Sequence, residues 1–253
     1  MYADTQNDIT RQVVHVAQLL LAYGAESELI EDISQRLGHA LGLASVELSI
    51  SSNSLVLTSL SSGRCITTTR RIRDHGINMA VVCELQRICI LAEKGLYGPH
   101  EVRKRLAHIK PKTYPPKLLI AMIGFSCGSF CHLFGGDLAA VILTCFASAL
   151  GMFVRLAIAK RHFNLLVNFA VTAFVTSLAA QLGYRYELTE TPQLAMAASV
   201  LMLVPGFPMI NAISDMVKGH MSAGISRWGH ATLLTVASVI GMTIAMQLGG
   251  NFL

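Results

Sequence analysis

The residues best placed to do chemistry lie in Leu203-Val-Pro205-Gly206-Phe-Pro208-Met-Ile-Asn211-Ala-Ile-Ser-Asp215-Met-Val-Lys218-Gly219. Two prolines and a glycine interrupt an uncharged stretch of 24 residues, 191–214. Proline removes a backbone donor and clashes with the preceding turn, so a helix through this stretch must break or kink. In a bilayer the freed backbone groups are tolerable where they are buried in protein or line a wet cavity. A half-helix starting near Pro208 would aim N–H groups and a positive dipole end at an anion. Asn211 and Asp215, four apart, share one face of it. This reading makes Pro205, Gly206, Pro208 and Asn211 substrate-binding, with Asp215 a proton-coupling or gating acid. The same residues also fit a plain proline kink with Asp215 at the membrane interface. Asp137, in the turn Gly135-Gly136-Asp137, is either a solvated loop acid or a second gating or proton-binding carboxylate.

Other motifs carry less. Gly124-Phe-Ser126-Cys-Gly128 matches a hydrolase nucleophile elbow, which needs a strand before it and a helix after it. Here it sits in an apolar run, and the glycines read better as a small-residue packing face. Cys127, Cys131 and His132 could be soft metal ligands, but small buried residues are the simpler reading. His100-Glu101 begins an H-E-x-x-H pattern, yet position 104 is Lys. No phosphate-binding G-x-x-x-x-G-K-[ST] occurs. The expectation is therefore no catalytic residue, no metal and no cofactor.

These residues sit in a chain whose charge is unevenly spread. Residues 1–117 hold 14 Lys+Arg and 11 Asp+Glu, an ordinary soluble density. Residues 118–253 hold 6 and 4, too few to cover the surface of a soluble domain that size. An entirely soluble enzyme is excluded. The net charge of +5 divides too evenly for a nucleic-acid-binding domain. Six cysteines without a C-x-x-C pair read as reduced, packed thiols.

In the first half, Ile9, Val13, Val16, Leu20 and Tyr23 fall at helical spacing behind an acidic flank, which argues against a signal peptide. A second helix follows Ser27, a candidate N-cap, and stops at Gly42. Three strands come next, at 46–50, 55–60 and 64–69, with turn chemistry at Ser51–Ser54 and Ser61-Ser62-Gly63. Helical spacing returns from Ile77 to Leu91 and again after Pro99. The order αα-βββ-αα predicts a small α+β domain over 1–110, with a linker at 111–117.

The second half, 118–253, predicts a membrane α-helical bundle of five spans, at 118–136, 138–159, 163–183, 194–214 and 229–250. Lys104, Arg105, Lys110, Lys112, Lys117, Arg155, Lys160, Arg161, Lys218 and Arg227 fall on one side of these spans. Only Arg185 falls on the other, so the small α+β domain is cytoplasmic and the C-terminus external. Tyr114, Tyr184, Tyr186 and Trp228 stand where interfacial aromatics belong.

The Gly24-Ala25-Glu26-Ser27 helix pair, the Phe134-Gly-Gly-Asp137 turn and the Leu203…Asn211…Asp215…Gly219…Arg227 stretch resemble the threonine/serine exporter (ThrE-type) family over nearly the whole chain. Larger members join this half to a second hydrophobic half, and this chain resembles the short form. That resemblance implies a subunit of a two-component secondary exporter of succinate in a bacterial inner membrane, completed by a second small membrane protein (YjjB-like). It leaves open a threonine/serine exporter half. A membrane-anchored sensor or assembly protein is the reading from another class.

Overall fold

Apolar residues at helical spacing turn one face of the first helix, α1 (Tyr2–Ala22), into a core: Val13, Val16 and Leu20 are almost completely buried. The computed structural model describes residues 2–248 apart from 52, 62 and 73–75, with the side chains of 2–5 and 184 also outside the description. The turn residues Ser52 and Ser62, the side chain of Tyr184 and the end of the last expected span, 249–250, therefore lie outside the described residues.

After α1 come α2 (Ser27–Ala40), β1 (Ser45–Ile50), β2 (Ser54–Ser61), β3 (Arg64–Arg71), α3 (Met79–Glu93) and α4 (Pro99–His108). This is the αα-βββ-αα order that the periodicity implied. The strands form an antiparallel meander in order β1-β2-β3, with Leu48 opposite Leu57 and Leu57 opposite Thr68. Alternation decides which face packs: Leu55, Leu57 and Ser59 of β2 are buried, while β3 keeps no residue fully inside. Leu20, Ile30, Ile33, Leu37, Leu85 and Ile88 join them in one apolar cluster. Each such side chain contributes about 1.5–3 kcal/mol by leaving water. Ser27 is not the N-cap that its type suggested. The cap position is Glu26, whose side chain makes no capping bond, and Ser27 is the first helical residue.

The apolar half contains α5 (Pro116–Leu133), α6 (Leu138–Lys160), α7 (Leu165–Ala180), the short α8 (Leu182–Arg185), α9 (Pro192–Val200) with a 3-10 turn Leu201–Leu203, α10 (Gly206–Val217) and α11 (Met221–Leu248). Five full spans are not found among the described residues. Among the described residues, α5, α6 and α11 are long and apolar enough to cross a membrane, and the bent α9–α10 pair raises the number to four at most. The fourth expected span is cut because Val204 takes an extended backbone (φ −67°, ψ 118°) before Pro205. Helix α7 has 16 residues, about 24 Å against a hydrocarbon core of about 30 Å. Asn164 starts it late by accepting the Leu166 amide at 3.0 Å, and it ends at Ala180. Phe125, Phe146 and Phe153 stand exposed on α5 and α6, as apolar solvent requires.

The chain divides into two compact units. One contains Met1–Thr113 together with Phe207–Trp228, the other Tyr114–Gly206 together with Gly229–Leu253. Residues 207–228 group by their contacts with the N-terminal α+β fold. Within the second unit, a Cβ at Gly124 would meet the Cys145 carbonyl at 2.8 Å, and one at Gly128 would collide with the Cys145 sulfur. Bare glycines let α5 lie flush on α6, which is the packing reading of the G-x-S-x-G motif, and Ser126 is exposed.

Candidate functional site

Helix α10 begins at Gly206, so Pro208 falls in its first turn, where the missing N–H removes no intrahelical bond. Pro205, just before it, is buried. A Cβ at Gly206 would meet nothing within 4 Å, so this glycine is not required by space. The buried face of α10 is Asn211, Ala212 and Asp215, and the helical spacing does put the two polar residues together.

Their partners lie some 190 positions away. The Asn211 amide donates to the Gly24 carbonyl at 2.9 Å. Gly24 turns the chain between α1 and α2 with φ +87°, a conformation in which any side chain is strained. Asp215 is completely buried. It accepts the Ser27 amide at 2.8 Å, the Ser27 hydroxyl at 3.0 Å and Arg227 at 2.9 Å. Its carboxylate thus caps α2 from outside, where the helix dipole favours negative charge and Glu26 supplies no cap. Arg227 also donates to the Ala25 carbonyl at 3.1 Å. Around this buried centre, Lys218 bridges Glu26 and Glu28, each at 2.7 Å, and Ser214 donates to Glu26 at 3.0 Å. The Lys218 hydrogen bond, helped by Ser214, holds the Glu26 carboxyl below the usual range, while the two glutamates push the lysine ammonium up. Every residue from Gly24 to Ser27 is therefore bonded by a side chain between 211 and 227.

A groove of about 730 Å³ opens beside this joint, lined by Glu26, Glu28, Asp32, Lys218, Met79 and Phe207 among others. Its three carboxylates outnumber a single lysine that is already paired. That balance repels a free anion.

In the second unit, Asp137 accepts hydrogen bonds from Thr189 and, at 2.6 Å, from Thr191. Its own amide donates to Thr191 at 3.2 Å. The Thr189 and Thr191 hydroxyls hold its carboxyl down at about 2, so it is ionised throughout the physiological range. Cys127 and Cys131 are buried while His132 is exposed, and among the described residues no group of three metal-ligating side chains converges. Sequence reasoning passed over the uncharged polar residues Asn168, Thr172, Thr176, Ser177 and Gln181, all buried in or just after α7. Their signal was available as polar positions inside an apolar run.

The two stretches joined around Asp215, with the Asp137 turn, are the motifs that carried the family resemblance. Residues 11–249 match the ThrE family, described as "Putative threonine/serine exporter". The chain belongs to the ThrE family. It is 48% identical over 246 residues to the "Probable succinate transporter subunit YjjP" of Klebsiella aerogenes, a match covering 97% of this chain and 95% of that one. It is 46% identical over 251 residues to the protein of the same description in Escherichia coli (strain K12), covering 99% and 98%. An "Uncharacterized protein" of Haemophilus influenzae shares 34% identity over 257 residues, covering 87% and 85%. No solved structure matches. Membership in an exporter family, together with three helices able to span a bilayer, makes this a membrane protein.

Proposed function

We propose that the chain is one subunit of a two-component secondary exporter that carries succinate outward across a bacterial inner membrane. What carries the reading is identity of 46–48% to two relatives named as succinate transporter subunits, over nearly the full length of both. Their description as subunits supports a second component, and the family resemblance makes a small membrane protein of the YjjB type our proposal for it. The shortage of full-length spans supports it too. Counted over the five spans expected from the sequence, the ten-to-one bias of Lys and Arg favours a cytoplasmic N-terminus and a periplasmic C-terminus.

In this proposal substrate passes the helix break at Pro205, Gly206 and Pro208. Asn211 and Asp215 hold α10 to the α1–α2 turn, through the Gly24 carbonyl and Ser27, and so fix the helix that follows the break. Asp137, already ionised and clamped by two threonines, is proposed as a gate rather than a proton carrier.

Uptake of labelled succinate into inverted membrane vesicles tests the function, with this chain, its partner, both, or neither. Accumulation is expected only with both. Accumulation of threonine or serine without succinate would favour the other family reading, and transport of none of them would leave the membrane-anchored sensor. A reporter fused after Leu253 should be active outside the inner membrane.

A further inference from the structure

Helix α7 and its C-cap Gln181 carry five buried polar side chains, and three of them are spent on the protein itself. Thr176 donates to the Thr172 carbonyl at 2.8 Å, Thr172 to the Asn168 side chain at 3.2 Å, and Asn168 to the Arg155 carbonyl at 3.1 Å. The other two are not. Ser177 is completely buried and Gln181 is 6% exposed, yet the Ser177 hydroxyl and the Gln181 amide nitrogen have no hydrogen-bond partner. A buried hydroxyl on a membrane helix usually bonds back to the carbonyl four residues earlier. Thr144, Thr176 and Ser238 all do so here. Ser177 forgoes that bond, although an unpaired polar group is costly in an interior without water.

Both idle atoms are donors: the amide nitrogen can only donate, and the hydroxyl is able to. Being four apart, the two residues share a helix face at a separation of about 5–6 Å between Cβ atoms. An ionised carboxylate is acceptor-only and spans such a pair. Neither group is charged, so an anion bound there is held loosely enough to leave, as transport requires. Between them in the chain, Ala179 and Ala180 pack with Ala147, Met196, Met242 and Met246. Alanine leaves little bulk to displace, and methionine repacks readily around a guest.

We propose that Ser177 and Gln181 form a carboxylate-binding station inside the second unit, on the path of the exported acid. This rests on the exporter reading above.

The test uses the full chain with its partner in inverted vesicles, labelled succinate as probe, and transport expressed per inserted molecule. Ser177→Ala and Gln181→Met each keep the volume and remove the donor, and each should raise KM for succinate about tenfold or more. The melting temperature of the purified variants should hold or rise, because an unsatisfied polar group has been removed. Ser177→Thr, which keeps the hydroxyl, should retain a KM near that of the unsubstituted protein. Unchanged KM in Ser177→Ala and Gln181→Met beside an active unsubstituted exporter overturns the station and leaves the exporter reading standing. A fall in transport that only follows a fall in inserted protein also overturns it. No succinate transport by the unsubstituted pair overturns both.

Discussion

The first unit buries a carboxylate and satisfies it, partly with a guanidinium that keeps some exposure, and among its described buried polar side chains the unpartnered atom is an acceptor, Gln12 Oε1. The second unit buries neutral groups and leaves two donors without partners. Asp215 has three bonds from Ser27 and Arg227, and the surrounding Lys218, Glu26, Glu28 and Asn211 are engaged as well. In the second unit, Ser177 and Gln181 each keep an idle donor. The contrast separates permanence from exchange. Removing one partner of a buried ion pair leaves an uncompensated charge and costs about 3–5 kcal/mol, so such a joint stays closed. A neutral donor without a partner costs less and can accept a visiting acceptor. The first unit has the chemistry of a fastening, the second that of a passage.

The sharpest way to break that comparison is Asp215→Ala. It should destabilise the protein by about 3–5 kcal/mol, read as lost thermal stability and faster proteolysis between 24 and 31. If stability holds while export fails, the carboxylate is a working transport group and the fastening account is wrong. Next come Pro205→Ala and Pro208→Ala, which restore good helix formers and should let the chain insert at normal levels. Export per inserted molecule should fall severalfold or more, most in Pro205→Ala, because Pro208 lies in the permissive first turn of α10. Unchanged specific activity in both would remove the break from the transport path.

Asn211→Ala should cost about 1 kcal/mol of stability, the value of one hydrogen bond to the Gly24 carbonyl, and raise KM little. A large KM effect would move Asn211 from the fastening to the substrate. The smallest effect concerns Asp137. Its carboxyl sits at about 2 against an unfolded value of 3.8, so its contribution to stability is present above 3.8 and is lost as pH falls through 2. Asp137→Asn should therefore leave the shape of the export profile between about pH 5 and 8 unaltered. A shift of that profile would make Asp137 a proton carrier after all.

Much of this was readable in advance, for specific reasons. The order αα-βββ-αα follows from periods of 3.6 and 2, which backbone geometry imposes on any element with one buried face. The break before α10 follows from Pro205, since a missing N–H is a local property. The placing of Asn211 and Asp215 on one face follows from their spacing. What they face does not follow from it. A carboxylate at 215 in an apolar run reads equally as a membrane acid and as a cap for a helix 188 residues earlier, because spacing reports a face and says nothing of the partner. Ser27 shows the same limit: its type suggested an N-cap, and it became the first helical residue, capped by Asp215.

The sequence by itself determined local matters: where helices and strands run, where the apolar half begins, and which segments have the composition to cross a bilayer. It also pointed to the family, because the motifs at 24–27, 134–137 and 203–227 are residue types at fixed spacings. The tertiary structure alone decided that residues 207–228 group with the N-terminal fold, that Lys218 is paired with Glu26 and Glu28, and that Ser177 and Gln181 keep idle donors. Those facts depend on which groups meet across long separations in sequence. Burial and hydrogen-bond satisfaction are properties of such meetings, so no single stretch of chain contains them.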